Sequence, residues 1–230
     1  MGGIVVALLL IAGAVVMYIG FAETGEVEDA KLPDAPITVG SDAPLRGDAG
    51  DATVDTNAGP MDAASMQPMH YFIPALGVYS EILPMDGFEP SRYSGFESLQ
   101  LPGDPEKSAW FDPGGGLAFN EPGTEGTTML ASHVSGEGKW GVLKELYSLQ
   151  GGELVYSTDA DGVLAAWKLT DLYTKFHTDF PEEYWNSNGV RRLVLTTCGE
   201  YDPASGTYLQ NIFAVAVPVD PVTKEPFTQS

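Results

Sequence analysis

The chain has 230 residues, 43% of them hydrophobic, and a formal net charge of −21 at pH 7. This length is typical of one domain with an appendage, and the apolar content is enough to build a core. A surface this negative repels nucleic acid and anionic lipid, which argues against both as binding partners. The simplest interpretation of the charge is a solubilising acidic surface.

Cys198 is the only cysteine of the chain. It therefore cannot form an internal disulfide, and a zinc site built on several thiolates is excluded. A lone thiol in an exported protein invites a functional explanation, although a cysteine can also pack in a core as a small hydrophobic residue.

The N-terminal segment is apolar, with no charged side chain in residues 4–22. At about 1.5 Å per helical residue, this run matches a hydrocarbon core of about 30 Å and predicts an uncleaved transmembrane anchor over residues 1–22. The alternative is a cleaved signal peptide, whose apolar run is usually about 7–15 residues long. Tyr18 and Phe21 lie near the outer end of the run, where interfacial aromatic residues belong, and they favour the anchor.

The next segment, residues 23–68, holds ten acidic residues, two basic residues and no aromatic residue. Such a composition buries too little surface to offset the entropy of ordering, and its charges repel one another. We therefore expect an extended, disordered linker. The folded domain is expected over residues 69–219, followed by a C-terminal tail at 220–230.

Within the folded domain, short apolar runs alternate with Gly, Pro and Asp residues. These runs predict strands at 70–74, 77–82, 127–134, 153–158, 163–172, 192–198 and 211–219. Asp161-Gly162 predicts a hairpin turn, and residues 142–149 predict one short helix. Many strands with little helix indicate an all-β domain, either a barrel or a sandwich.

His133 and Cys198 each lie near the end of a predicted strand, next to a loop. A rigid scaffold can present reactive groups from such positions. A cysteine becomes a good nucleophile when a nearby histidine takes its proton or pairs with its thiolate. The two side chains can meet only if their strands are neighbours in the sheet, which the sequence alone does not show.

Several strings resemble motifs of the sortase family. Residues 194–198, Val-Leu-Thr-Thr-Cys, resemble the family's Thr-Leu-x-Thr-Cys motif, and residues 129–134, Met-Leu-Ala-Ser-His-Val, resemble the strand that ends in its catalytic His. Strings similar to the class F sortases of actinobacteria are Leu-Pro-Gly-Asp-Pro at 101–105, Ala109-Trp110, Phe180-Pro181 and Cys-Gly-Glu-Tyr-Asp-Pro-Ala-Ser-Gly at 198–206. The resemblance covers residues 73–217.

This resemblance implies a closed eight-stranded β-barrel with one or two short helices, anchored by the N-terminal helix on the outer face of a Gram-positive plasma membrane. It implies cleavage of a Leu-Pro-x-Thr-Gly-like sorting signal, with Cys198 as nucleophile and His133 as acid/base. The implied partners are secreted proteins that bear this signal and an amine acceptor such as a peptidoglycan precursor. No metal or organic cofactor is implied, because covalent catalysis splits one amide exchange into two acyl transfers.

One family residue is replaced. Sortases carry an Arg on the strand after the Cys loop, within a Tyr-Arg-Asp-Asn string in class F, and the aligned residues 208–211 are Tyr-Leu-Gln-Asn. Leu209 thus stands where the Arg is expected. Losing a preorganised donor to a developing oxyanion typically costs about 10²–10³ in rate.

Other groups are weighed as substitutes for this Arg. Side chains alternate along a strand with a period of two residues, so Arg192 shares a face with Cys198. At about 3.3 Å per residue, however, Arg192 lies about 20 Å from Cys198, and Arg191 is one residue farther away. The possible oxyanion or substrate contacts nearer the thiol are Gln210, Thr197 and Gly199, the first through its side-chain amide and the last through the backbone.

Two further departures are Ser132, where the family has Gly, and Ser135, where class F has Asp. A side chain at position 132 is expected to crowd the wall of the cleft. Structural roles, in the core, on the surface or in the cleft wall, are expected for His70, His177, Trp110 and Trp140.

Two functions remain open from the sequence. One is an active but divergent transpeptidase that uses other oxyanion donors. The other is a catalytically impaired sortase-fold module that binds sorting signals or an assembly partner. The presence of both Cys198 and His133 favours the first, because a degenerate enzyme would lose its nucleophile as readily as its Arg.

Overall fold

The computed structural model describes residues 63–90, 97–111, 118–121 and 123–227. The anchor predicted at residues 1–22 and nearly all of the linker predicted at 23–68 lie outside these residues. Within the described part of the chain, no helix has the length and apolar character needed to cross a membrane.

Twelve strands form in the described residues. They are β1 His70–Ile73, β2 Val78–Met85, β3 Phe88–Pro90, β4 Glu97–Leu99, β5 Ser108–Phe111, β6 Thr127–Ala131, β7 Ser135–Gly136, β8 Lys139–Trp140, β9 Leu154–Thr158, β10 Leu164–Phe176, β11 Arg192–Asp202 and β12 Thr207–Val219. Eight strands close into a barrel in the order β1-β2-β5-β6-β11-β12-β10-β9, while β3–β4 and β7–β8 form two-stranded sheets. The all-β fold and the closed eight-stranded barrel are thereby confirmed, and the sandwich is excluded.

The helical segments of the described residues are short 3-10 turns at Ala63–Ser65, Pro74–Leu76, Leu146–Ser148 and Glu182–Trp185. The helix predicted over residues 142–149 is therefore wrong in type and length. Leu143, Leu146 and Leu149 are all buried. Their spacing of three fits the 3-10 period, in which side chains at i and i+3 lie above one another, so the apolar pattern does not require an α-helix.

The strands around Cys198 are longer than predicted. β11 continues to Asp202, and β12 begins at Thr207, four residues before the predicted start. β5 has no predicted counterpart, because its four residues, Ser-Ala-Trp-Phe, form a short run without a β-branched residue. The hairpin turn predicted at Asp161-Gly162 joins β9 to β10, and Gly162 takes the left-handed φ of 79° that such turns favour.

Side chains alternate between the barrel interior and its outer face along each strand. On β11 and β12, Leu195 and Ile212 belong to the interior cluster. Val194 and Phe213 belong to a second cluster on the outer face. The alternation from Val194 therefore places Cys198 on the outer face of the barrel.

The connection from β10 to β11, residues 177–191, packs against this outer face. The ring of Phe180 meets that of Phe213 edge-on, with centroids 5.2 Å apart, and the ring of Tyr184 lies 5.7 Å from Phe213. Tyr184 is buried. This aromatic packing fixes the connection on the face that carries Cys198.

Candidate active site

The strands that carry the predicted histidine and cysteine are parallel neighbours in the barrel. β6 pairs with β11, and Ala131 lies opposite Thr196. The pairing continues beyond the end of β6, because the Ser132 N–H donates to the Thr196 carbonyl at 3.1 Å and Thr197 Oγ1 donates to the Ser132 carbonyl at 2.9 Å. The segments that continue β6 and β11 thus stay paired up to the predicted catalytic residues.

His133 and Cys198 therefore lie side by side. Each is two residues beyond the Ala131–Thr196 pair, so both point to the same face, and adjacent strands are roughly 4.8 Å apart. The condition that the sequence leaves open, that these strands be neighbours, is met. A cysteine and a histidine on adjacent strands can exchange a proton during nucleophilic attack.

Cys198 is half-buried. Loss of hydration on burial raises the pKa of its thiol to about 11. The resting group at neutral pH is therefore the thiol, and the thiolate that attacks a carbonyl must form by loss of a proton to a neighbouring base.

The backbone at His133 is held by a close approach of Gly141. The Gly141 N–H donates to the Val134 carbonyl at 2.8 Å. A Cβ built on Gly141 would lie 1.7 Å from the carbonyl oxygen of His133, so no other residue fits there. The hairpin β7–β8 begins two residues after His133 and pairs Ser135 with the half-buried Trp140.

On the other side of Cys198, β12 contributes a residue that sequence reasoning does not identify. Asn211 pairs with Cys198 on β11 and with Lys175 on β10. Paired residues of antiparallel strands share a face, with Cβ atoms about 4.5–5.5 Å apart. Lys175, Asn211, Cys198 and His133 thus form one line across four strands, which we call the outer row.

The position that aligns with the family's Arg also belongs to this face. Leu209 is two residues from Asn211 on β12, and its side chain is 37% exposed. The side chain of Leu209 offers no hydrogen-bond donor, unlike the Arg that the family carries there. Thr196 shares the face as well, and its buried hydroxyl has no partner within the described residues.

The other side-chain donors considered from the sequence point elsewhere. Gln210 pairs with Gly199 and so faces the interior, where a Cβ on Gly199 would meet Ile212 Cγ1 at 2.7 Å. Thr197 is buried on the same side and donates its hydroxyl to the Ser132 carbonyl. The side chains of Gln210 and Thr197 thus lie on the face opposite Cys198. The Thr197 hydroxyl instead links β11 to the segment that follows β6.

Ser132 does not crowd the cleft, contrary to the expectation from the sequence. Its side chain is buried in the barrel and shares a hydrogen bond with the Ser108 hydroxyl, which in turn lies 2.7 Å from the Tyr71 hydroxyl. Burial raises the pKa of Tyr71 to about 12. The strand alternation that points His133 outward points Ser132 inward.

The two arginines that precede Cys198 lie at the far end of β11. The Arg191 guanidinium is 4.9 Å from the centre of the Trp167 ring, and burial lowers the pKa of Arg191 to about 10. The Arg192 guanidinium is 5.5 Å from the centre of the Tyr184 ring. Neither reaches the outer row.

His70, Trp110 and His177 lie where structural roles are expected for them. His70 Nδ1 lies 2.8 Å from the Pro68 carbonyl oxygen, and its ring stacks on Tyr79. Trp110 is buried in the core. Burial lowers the pKa of His177. Across the residues described, no group of three or more His, Cys, Asp or Glu side chains could hold a metal ion.

An open groove of about 520 Å³ lies between β10 and the β10–β11 connection. Its lining includes Tyr173, Lys175, Phe180 and the acidic Glu182. Tyr173 stacks on Phe213 with ring centroids 5.4 Å apart, so the groove adjoins the outer face. It meets the outer row at Lys175.

A family model described as a sortase domain matches residues 73–219. This chain belongs to the sortase family. The match confirms the family-level resemblance seen in the sequence. Sortases are cysteine transpeptidases that act on secreted proteins with sorting signals and on amine acceptors.

Solved sortase structures are similar to this sortase at low identity. Sortase C2 of the Group B Streptococcus pilus island 1 is 16% identical with a TM-score of 0.48, covering 66% of this chain and 73% of that one. Sortase C1 from Streptococcus suis is 14% identical with a TM-score of 0.49, covering 69% and 75%. Sortase C-1 from Actinomyces oris is 18% identical with a TM-score of 0.47, covering 68% and 77%. No curated protein sequence matches the chain.

Proposed function

We propose that this sortase is a class F-like transpeptidase that cleaves a Leu-Pro-x-Thr-Gly-like sorting signal and transfers the protein to an amine of the cell wall. The observation that carries the proposal is the side-by-side position of His133 and Cys198 on neighbouring strands. The class F-like assignment is supported by the Cys-Gly-Glu-Tyr-Asp-Pro-Ala-Ser-Gly string at residues 198–206, which spans the end of β11 and the turn after it.

In the first half-reaction, Cys198 Sγ attacks the carbonyl carbon of the signal's Thr while its proton passes to the imidazole of His133. The carbonyl oxygen becomes an oxyanion. The bond from carbon to the Gly nitrogen then breaks, and His133 returns the proton to the departing amine. The product is a thioester between Cys198 and the Thr carbonyl.

In the second half-reaction, the acceptor amine attacks this thioester and its surplus proton passes to His133. The bond between carbon and Sγ breaks, a new amide forms, and His133 returns the proton to the leaving thiolate. Because the pKa of Cys198 is raised, the thiol is the favoured resting form at the end of the cycle.

We also propose that residues 1–22 anchor the enzyme in the plasma membrane, with the barrel on the extracellular side. The uncharged run of residues 4–22 and the acidic segment after it support this arrangement. Fractionation of producing cells tests it. The intact chain should partition with membranes and be digested by protease added outside the cell, whereas release of a shortened chain into the medium would contradict the anchor.

The activity is tested with the full chain in detergent, a Leu-Pro-x-Thr-Gly peptide and a primary amine. Mass spectrometry should show a thioacyl adduct on the wild-type protein and a transpeptidated product. Cys198→Ala should abolish both, and His133→Ala should lower the rate about 10²–10⁴-fold, as loss of a general acid/base does. His70→Ala is the matched control and should leave the rate unchanged, because His70 lies on β1 against Tyr79.

A binding module without turnover is the second candidate, and one observation favours it: Leu209 leaves its position on the Cys198 face without a donor. If that candidate is correct, the peptide binds the wild-type protein and Cys198→Ala equally well. No thioacyl adduct then forms even after prolonged incubation with saturating peptide. That combination would contradict the transpeptidase.

A further inference from the structure

The chemistry proposed for Cys198 creates a negative charge that the surrounding site must accommodate. Attack by Sγ converts the Thr carbonyl oxygen into an oxyanion beside the outer row. Donors aimed at such an oxygen in a partly buried site are worth about 10²–10³ in rate. Leu209 supplies none, and the side chains of Gln210 and Thr197 lie on the opposite face.

Lys175 is a cation in the outer row itself. It lies opposite Asn211, which lies opposite Cys198, so two strand spacings of roughly 4.8 Å separate Lys175 from the nucleophile. With bonds of about 1.5 Å, an extended lysine side chain spans about 6 Å, so its ammonium can reach the space above Asn211 where the oxyanion forms. Tyr173, two residues earlier, stacks on the outer-face residue Phe213 and shows that this side of β10 points outward.

Lys175 Nζ forms an ion pair with Asp179 Oδ2 at 3.1 Å. The side chains of Lys175 and Asp179 are 37% and 65% exposed. Exposed pairs contribute little to stability, so moving the ammonium from Asp179 to a bound substrate costs little. Asp179 therefore holds the lysine at the edge of the groove without locking it there.

The other described cations are engaged away from the outer row. Lys107 forms an ion pair with Glu81, and Lys139 forms one with Glu106. The charged groups of Lys144, Lys224, Arg191 and Arg192 lie over the rings of Trp140, Tyr156, Trp167 and Tyr184, respectively. Lys168 lies in the other half of β10. Within the described part of the chain, Lys175 is thus the cation that lies in the same row as Cys198.

We propose that Lys175 supplies the positive charge that stabilises the oxyanion at Cys198, in place of the arginine that sortases carry at the position of Leu209. The inference rests on the proposed transpeptidase function and names a further catalytic residue for it. When the peptide occupies the groove, the Lys175 ammonium leaves Asp179 and donates to the oxyanion beside Asn211. After the amine or thiolate departs, the carbonyl is neutral again and the ammonium returns to Asp179.

The first test measures single-turnover formation of the thioacyl adduct by the full chain with a Leu-Pro-x-Thr-Gly peptide. Lys175→Met should lower the acylation rate constant about 10²-fold with the peptide's KM within threefold, and Lys175→Arg should recover at least tenfold of the loss. Lys168→Met, on the same strand, is the control and should match the wild type. A Lys175→Met rate within threefold of the wild type, a change confined to KM, or no recovery with Arg would overturn the proposal.

The second test does not depend on sorting activity and decides the case if the wild-type protein forms no adduct. It compares alkylation of Cys198 by the anion iodoacetate with that by neutral iodoacetamide. A unit charge about 7 Å from an incoming anion changes its local concentration about threefold even at the dielectric constant of water. Asp179→Asn, which removes the ion pair, should raise the iodoacetate/iodoacetamide ratio about threefold, and adding Lys175→Met should reverse the rise. Equal ratios in the two variants would show that Lys175 does not act at Cys198.

Discussion

The reactivity of Cys198 provides a direct test of the site's electrostatics, because the chain contains no other cysteine. Burial raises the pKa of this thiol from 9.0 to about 11. Two pKa units reduce the thiolate fraction near neutral pH about a hundredfold. Since the thiolate is the reactive form, the folded protein should react with iodoacetamide at least about a hundredfold more slowly at pH 7.5 than the unfolded protein.

The sign of the pH dependence follows from the same shift. The logarithm of the alkylation rate should rise by about one per pH unit through pH 9 and level off only towards pH 11, whereas in guanidinium chloride it should level off near 8.5–9. Quenched reactions analysed by intact-protein mass spectrometry give both curves. His133→Ala should change alkylation less than threefold while lowering the transpeptidation rate about 10²–10⁴-fold. A plateau below pH 8 in the folded protein would refute the reasoning, because it would mean that the thiolate is already stabilised by a cation.

Three further predictions concern groups around the row. Gly141→Ala should lower Tm by several degrees in calorimetry and reduce acylation, because its Cβ would overlap the His133 carbonyl, whereas Gly103→Ala has open space and should change neither. Thr196→Val should leave Tm unchanged or raise it, since it removes a buried hydroxyl without a partner in the described residues. If that hydroxyl contacts the peptide, the same variant raises KM; an unchanged KM shows that it does not. Leu209→Arg added to Lys175→Met should raise the acylation rate of that variant at least tenfold in single turnover, and no gain would mean that position 209 does not reach the oxyanion.

The sequence predicts much of the barrel because its strands are short apolar runs bounded by Gly, Pro and Asp residues. The runs predicted at 70–74, 153–158 and 192–198 reappear in β1, β9 and β11, although only β1 alternates regularly between buried and half-buried residues. β5 escapes prediction because its four residues, Ser-Ala-Trp-Phe, form a run that is short and has no β-branched residue. The segment 142–149 is misread as a helix because apolar residues three apart satisfy the α-helical and the 3-10 patterns alike.

The site is harder to predict because it depends on which strands are neighbours and in what register. The motif strings identify His133 and Cys198 one at a time, but only the parallel pairing of β6 with β11 places them together. From the sequence, Gln210 is considered as a donor and Asn211 is not, because a shift of one residue changes the face and no local pattern sets the register. The pairing of Asn211 with Cys198 shows that Asn211, and not Gln210, shares the face of the thiol.

The pairing of neighbouring strands also explains how a catalytic cation can be supplied from a different position in the chain. On one face of a barrel, a given point in space lies within reach of side chains from two or three adjacent strands. The space beside Cys198 is open to position 209 of β12 along the strand and to position 175 of β10 across it. Loss of a cation at the first position therefore need not remove positive charge from the site, provided that the second position carries a cation on a long side chain. Lys175, whose ion pair with Asp179 is exposed, is such a residue, so the substitution at 209 is compatible with an active enzyme.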